Sequence, residues 1–311
     1  MKASVIIATY GRESCLVETI RSVFQQNYPD FELLIVDQTA NHTPEVESFL
    51  KNLSDPRYSY FLVSPPSLPA ARNFGLSRAR GDIIIYIDDD VFLEPDFILN
   101  HVHAYQRSSN IAGIGGRTYY LPNRKFSTQL PQIMKDASWK GGFDWTEPGE
   151  AIAAVGCNMS FRRSALNEIG GFDCSFEGNA LREESDVSFR LRRRGYQIWF
   201  EPKASLEHRP AATGGCREKD LRDTTTYYQN ETIFLIKNLG VRSFCTAFFL
   251  IFTSYILPYK RTLKFWHRLK AFSIGITRGL WFLLFPKKLH PRLIRQWNRL
   301  NDIQVAEKVL R

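Results

Sequence analysis

With 311 residues, 44% apolar and 14% aromatic, the chain is large enough for one sizeable α/β domain with an appendage and too rich in core-forming residues to be disordered. Its net charge of +9 is unevenly placed: residues 237–311 carry +13, leaving −4 on the rest, so the tail calls for an anionic surface while the body does not. No nucleic-acid-binding module accompanies the basic residues, and Cys15, Cys157, Cys174, Cys216 and Cys245 are odd in number and scattered, which argues against nucleic acid, a disulfide framework and a thiolate zinc site, and for a reducing compartment.

The first apolar stretch is too short for a signal-peptide core and runs directly into a strand over 4–9, so no secretion signal is expected. A helix follows over 13–26, with Leu16, Ile20, Val23 and Phe24 on one face and Tyr28-Pro29 as its stop. Residues 31–36 read as a second strand. Pro44 suits the first turn of a helix that buries Val46, Phe49 and Leu50, before a third strand over 58–63. A helix over 70–80 closes at Gly81. The fourth strand, in Gly81-Asp82-Ile83-Ile84-Ile85-Tyr86-Ile87-Asp88-Asp89-Asp90, is apolar without alternation, as a strand covered on both faces is. Strands and helices alternating in this way predict right-handed crossovers and a parallel sheet.

The fourth strand ends on three carboxylates. Ligands bind outside the carboxyl ends of strands in open α/β sheets, and aligned acids there suit a hard divalent cation that keeps positions for phosphate oxygens. An acidic turn capping a helix over 95–105 would account for one acid, not three. The first turn, Ala8-Thr9-Tyr10-Gly11-Arg12, lacks the GxGxxG fingerprint. Gly113-Ile114-Gly115-Gly116 follows the acid strand and reads as a strand with close backbone approach, which disfavours an NAD-dependent oxidoreductase.

A looser aromatic, Gly- and Pro-containing stretch over 121–150 leads to a second acidic cluster, Arg182-Glu183-Glu184-Ser185-Asp186. It opens a helix that ends at Gly195. Acids in the first turn and bases in the last complement the helix dipole without any chemistry, yet a carboxylate held rigidly at a helix start is also what a general base requires. His208, placed after a strand over 196–201, is a further ligand for a cation at the acid triplet, or a phosphate contact.

In the tail, residues 243–259 form an uncharged stretch between Arg242 and Lys260-Arg261, and 271–286 is interrupted by Arg278. Both fall at or below the length of a bilayer span, and Arg278 would be costly at its centre. An in-plane or re-entrant contact with anionic lipid fits this pattern; the alternative is a helical subdomain or oligomer interface.

Together the motifs Val5-Ile6-Ile7-Ala8-Thr9-Tyr10-Gly11-Arg12, Ile35-Val36-Asp37-Gln38, Ala70-Ala71-Arg72-Asn73-Phe74-Gly75-Leu76, Ile87-Asp88-Asp89-Asp90-Val91, Gly156-Cys157-Asn158-Met159-Ser160-Phe161-Arg162, Gly170-Gly171-Phe172-Asp173 and Glu183-Glu184-Ser185-Asp186 resemble the inverting family 2 glycosyltransferases of the GT-A fold. The resemblance implies a Rossmann-like, mostly parallel sheet with flanking helices over 1–236, its nucleotide-sugar half in 1–118 and its acceptor and catalytic half in 119–236. The basic, apolar helical tail of 237–311 follows.

It also implies transfer of a sugar from a nucleoside diphosphate sugar to a hydroxyl, with inversion and with Mn²⁺ or Mg²⁺. Ala8, Thr9, Tyr10 and Arg12 would border the nucleotide and Asp37 would bind its base. Asp88 and Asp89 would reach the ribose or sugar, Arg72 a phosphate or the base, and Asp90 with His208 would hold the cation. Glu184 takes the position of the catalytic base, commonly Asp in the family, with Asp186 as its companion or as the base itself. Gln38 replaces an acid often found there. The QxxRW motif of processive synthases is absent, which implies one addition per encounter.

The acceptor would be a saccharide or a lipid-linked molecule, in polysaccharide or glycolipid synthesis at the cytoplasmic face of a membrane. The rival readings are a sugar nucleotidyltransferase and a non-catalytic nucleotide-sugar-binding scaffold.

Overall fold

The protein is described here by a computed structural model that covers residues 1–121, 127–134, 138–211, 213–215, 221–257 and 263–297. The first half follows the expected alternation: β1 (Ala3–Thr9), α1 (Ser14–Phe24), β2 (Phe31–Asp37), α2 (Pro44–Asn52), β3 (Tyr58–Ser64), α3 (Leu68–Arg78) and β4 (Ile83–Ile87). The strands lie parallel in the order β3-β2-β1-β4. Leu16, Ile20 and Val23 of α1 are fully buried, and Pro44 sits in the first turn of α2 as its missing N–H allows. Every residue of β4 is buried because apolar side chains cover it on both faces. The register sets Thr9 beside Asp37 and Ile7 beside Ile87, so β1, β2 and β4 end at one rim, where Asp88 begins.

The second half breaks the parallel pattern. After β4 come β5 (Val91–Leu93), α4 (Phe97–Ala104), β6 (Ile111–Tyr119), the short strands β7 (Gln132–Ile133), β8 (Trp139–Lys140) and β9 (Gly149–Ala151), then β10 (Asn158–Arg162), α5 (Arg163–Glu168), α6 (Glu183–Arg193) and β11 (Gln197–His208). β10 inserts antiparallel between β4 and β6, and β11 lies parallel to β6. The glycine-rich run is the strand expected of it. A Cβ on Gly116 would stand 2.3 Å from the Ala204 carbonyl oxygen and from Asn158 Oδ1, so only glycine lets the backbones approach.

One boundary differs from the expectation. β11 does not stop at Glu201 but continues through a bulge between Glu201 and Ser205, which interrupts the two-residue alternation by which a strand is read from sequence. His208 is therefore the last residue of the strand, not a residue after it, and pairs with Val91, next to the acid triplet.

The tail forms α7 (Leu221–Phe234), a π-helical turn at 235–239, α8 (Val241–Ile251), a second π-helical turn at 252–256, α9 (Leu263–Leu284) and a final strand, β12 (Arg292–Trp297). Among the described residues no helix is long and apolar enough to cross a membrane. α9 packs on α7 through Gly275 and Gly279, where a Cβ would come within 2.6 Å of the Thr225 carbonyl oxygen and of Thr232 Cβ. Phe176, Tyr228, Phe234, Phe248 and Ala271 form the apolar core of this region. Arg278 and Lys287 both pair with Glu177, the latter at 2.6 Å. β12 then adds antiparallel to the edge strand β3, and Trp297 stacks on Tyr60 with ring centroids 4.1 Å apart. Residues 258–262 and 298–311 of the tail lie outside the described residues. Cys15, Cys157, Cys174 and Cys245 are free thiols, and Cys216 lies outside the described residues.

Candidate active site

The acid triplet does not cap α4; it turns inward across the carboxyl ends of the strands. One ligand atom each from Asp88, Asp90 and His208 lies within 4.8 Å of the others. His208 Nε2 is 3.0 Å from Asp90 Oδ1 and its Nδ1 is 3.1 Å from the Tyr120 hydroxyl, an arrangement in which Tyr120 orients the ring. The Ala211 amide donates to Asp90 Oδ2 at 2.9 Å. Burial would raise the Asp90 carboxyl, but the bonds from His208 and Ala211 together with the nearby Arg12 charge hold it below the usual carboxylate range. Asp88 keeps 36% of its side chain exposed, so its oxygens are open to a ligand; desolvation raises its pKa against the pull of Arg72. Burial pushes the Asp89 carboxyl up to about 7 although Arg12 faces it.

The β1 turn is bound to this cluster. Arg12 is buried, with Nε 3.2 Å from Asp89 and Nη2 3.5 Å from Asp90, and it also donates to the Thr213 carbonyl. The Gly215 amide donates to the Tyr10 carbonyl at 2.6 Å, so the segment after β11 lies over the turn. Ala8 and Thr9 end β1, and Tyr10 stands 44% exposed at the rim. Asp37 is fully buried at the end of β2. It accepts from the Thr39 amide at 2.7 Å, the Tyr60 hydroxyl at 3.0 Å and His42 Nε2 at 2.6 Å. His42 also meets Glu13 at 3.2 Å; burial lowers its pKa, but the two carboxylates outweigh that and raise it overall.

Arg72 joins the two carboxylate clusters. From α3, buried against the rings of Tyr86 and Phe172, it reaches Asp88 Oδ1 at 3.4 Å and the Gly156 carbonyl at 2.9 Å, and it pairs with Glu183 at the start of α6. Neighbouring Glu184 is only partly buried. A Cβ on Gly156 would lie 3.9 Å from its carboxyl carbon and 3.8 Å from Arg72 Nη2, so Glu184 and Arg72 both stand beside Gly156. Desolvation raises the Glu184 pKa, opposed by its own backbone amide and by Arg72 and Arg182. Asp186 is different. With no exposure, it accepts from Arg190 at 2.7 Å, Lys237 at 3.1 Å and Asn238 at 3.0 Å.

Sequence reading missed His42, Tyr60, Tyr120, Glu183, Lys237 and Asn238 as partners of these side chains. Glu183 stood in a motif already singled out; the others carry no local pattern, since their roles arise from contacts across the sheet or from the tail.

An open mixed α/β sheet with flanking helices, and a carboxylate and imidazole cluster at its strand ends, has the architecture of the GT-A fold. Solved structures agree on that fold. GalNAc-T7 with UDP, GalNAc and Mn2+ matches with a TM-score of 0.63 at 16% identity, over 92% of this chain and 57% of that one. S. aureus TarS 1-349 in complex with UDP-GlcNAc matches with a TM-score of 0.59 at 17% identity, over 90% and 82%. Among curated proteins, the chain is 25% identical over 229 residues to the glucosyl-dolichyl phosphate glucuronosyltransferase of Haloferax volcanii, spanning 67% of this chain and 69% of that protein. It is 22% identical over 204 residues to the poly-beta-1,6-N-acetyl-D-glucosamine synthase of Staphylococcus epidermidis, spanning 65% of this chain and 48% of that protein.

Residues 4–170, more than half of the chain, match Glycosyl transferase family 2, and the chain belongs to that family. It is a glycosyltransferase, and the nucleotidyltransferase and scaffold readings give way.

Proposed function

We propose that this chain is a metal-dependent, inverting glycosyltransferase that moves one sugar per encounter from a nucleoside diphosphate sugar to a hydroxyl of a saccharide or lipid-linked acceptor. Its setting is polysaccharide or glycolipid synthesis at the cytoplasmic face of a membrane. The observation that carries the reading is the Arg72 link, which sets the Asp88, Asp90 and His208 group against the start of the helix that bears Glu184. The UDP and Mn2+ of the GalNAc-T7 structure and the UDP-GlcNAc of the TarS complex support this class of donor and cation.

The donor set fits Mn²⁺ or Mg²⁺. Asp88 and Asp90 offer hard oxygens, and His208 offers a nitrogen whose ring is oriented by Tyr120. A cation held by Asp88, Asp90 and His208 would supply positive charge against the departing diphosphate. Arg12 neutralises Asp89 and keeps the β1 turn, with Ala8, Thr9 and Tyr10, at the rim for the nucleotide. Asp37, fixed by His42, Tyr60 and the Thr39 amide, marks the side where the base would lie.

Glu184 accepts the proton of the acceptor hydroxyl. Its partly buried carboxyl binds a proton more readily than an exposed glutamate, which suits a general base. A single in-line displacement needs one such base and no enzyme nucleophile. Asp186, with its oxygens engaged by Arg190, Lys237 and Asn238, positions the helix.

The fate of the donor tests this reading. Protein incubated with its sugar nucleotide and Mn²⁺ should slowly release the nucleoside diphosphate and, followed by NMR at early times, a sugar of anomeric configuration opposite to the donor's. Release with retained configuration would contradict the inverting mechanism.

A further inference from the structure

We infer that the outward face of α9 is a docking surface for an anionic lipid bilayer, with the helix lying in the plane of the interface. The surface deepens the reading above by naming where a lipid-linked acceptor would be met, and it rests on that reading only for the acceptor.

The face is set by packing. Ala271, Gly275 and Gly279 are buried, the two glycines against α7, so the opposite side of the helix points away from the protein. There Trp266, Leu280 and Leu284 stand 66%, 44% and 74% exposed at helical spacing. Trp281 and Phe285 lie beside them, 58% and 56% exposed, with ring centroids 4.4 Å apart. Large aromatic and aliphatic side chains left in water at both ends of a 22-residue helix form an apolar surface without a partner among the described residues.

Charge identifies the partner. No acidic residue falls between Glu231 and Asp302, whereas thirteen Lys or Arg do. Lys264 and Lys270 share the helix with the exposed tryptophans, and Lys288 follows its end; all three are exposed. Aromatic side chains at the level of the headgroups, with lysines around them, match an anionic interface on both counts. Spanning is disfavoured by Lys264, Arg268, Lys270 and Arg278 along the same helix. A second copy of the chain would set Lys264, Lys270 and Lys288 against like charges.

Vesicle flotation with the full-length protein tests the surface without reading turnover. Vesicles of phosphatidylcholine mixed with phosphatidylglycerol should carry the protein upward at low salt, and pure phosphatidylcholine should carry much less. Trp281→Glu with Leu284→Glu should weaken binding by about tenfold or more, while the melting temperature and donor hydrolysis stay unchanged. Lys264→Glu with Lys270→Glu should remove the preference for anionic lipid. The inference is overturned if the wild-type protein floats with neither vesicle, if the Trp281 and Leu284 variant binds as well as wild type, or if sedimentation shows a dimer that this variant dissociates in place of a vesicle effect. Failure here leaves the catalytic reading standing, and loss of turnover alone would leave this surface standing.

Discussion

Glu184→Gln is expected to lower kcat by about 10²- to 10⁴-fold, the usual contribution of a positioned general base, while the donor KM changes little. Glutamine keeps the shape and the hydrogen bond from Ser185 but cannot take a proton. The pH profile carries the same prediction in a second form. Because desolvation raises the Glu184 pKa and the active form is the carboxylate, wild-type kcat should fall as pH drops through that pKa, at a higher pH than for an exposed glutamate. The variant should lose this limb. Asp186→Asn is the control: it leaves Arg190 and Lys237 short of a counter-charge at a site with no exposure, so it should lower the melting temperature, with the folded fraction retaining activity. A folded Asp186→Asn protein without activity, beside an active Glu184→Gln, would reverse the assignment.

Asp90→Ala is expected to reduce Mn²⁺-stimulated turnover by at least about 10³-fold, since the carboxylate is the proposed cation ligand and also anchors its surroundings. Asp90 meets His208 and the Ala211 amide and faces Arg12, so its loss frees His208, the segment after β11 and the β1 turn together. Steady-state rates across a Mn²⁺ titration check this. A shift in the metal requirement with full recovery at high Mn²⁺ would mean that Asp90 contributes affinity alone. His208→Ala should show a weaker form of the same loss, because Asp88 and Asp90 remain.

The parallel half of the fold was legible because its signals are local. β1, β2 and β4 are short apolar runs, α1 and α2 carry one-sided stripes, and Pro29, Pro44 and Gly81 mark the joints. The alternation of β11 ends at a bulge after Glu201, so the sequence pattern stops short of the residues that carry His208 to Asp90. β12 could not be seen for another reason. A six-residue segment with three polar residues becomes a strand only because β3 offers a free edge and Trp297 finds Tyr60.

The site divides along the same line. The acid triplet announces itself as charge at the end of an apolar strand, and the acidic helix start as carboxylates held at a helix N-terminus. That Asp37 is clasped by His42 and Tyr60, and Asp186 by Lys237 and Asn238, depends on residues brought together by tertiary structure. Arg72 lay between these cases. Its motif singled it out, but its position between Asp88 and Glu183 makes it a link between the two clusters.

The most direct test of the central claim is calorimetric titration of the full-length protein with a panel of nucleoside diphosphates and their sugars, each with and without Mn²⁺. The account predicts that one nucleotide binds with an affinity that rises on addition of Mn²⁺, and that Asp90→Ala removes the rise. Folded protein that binds no member of the panel, or binds one equally well in the presence of a chelator, would contradict it.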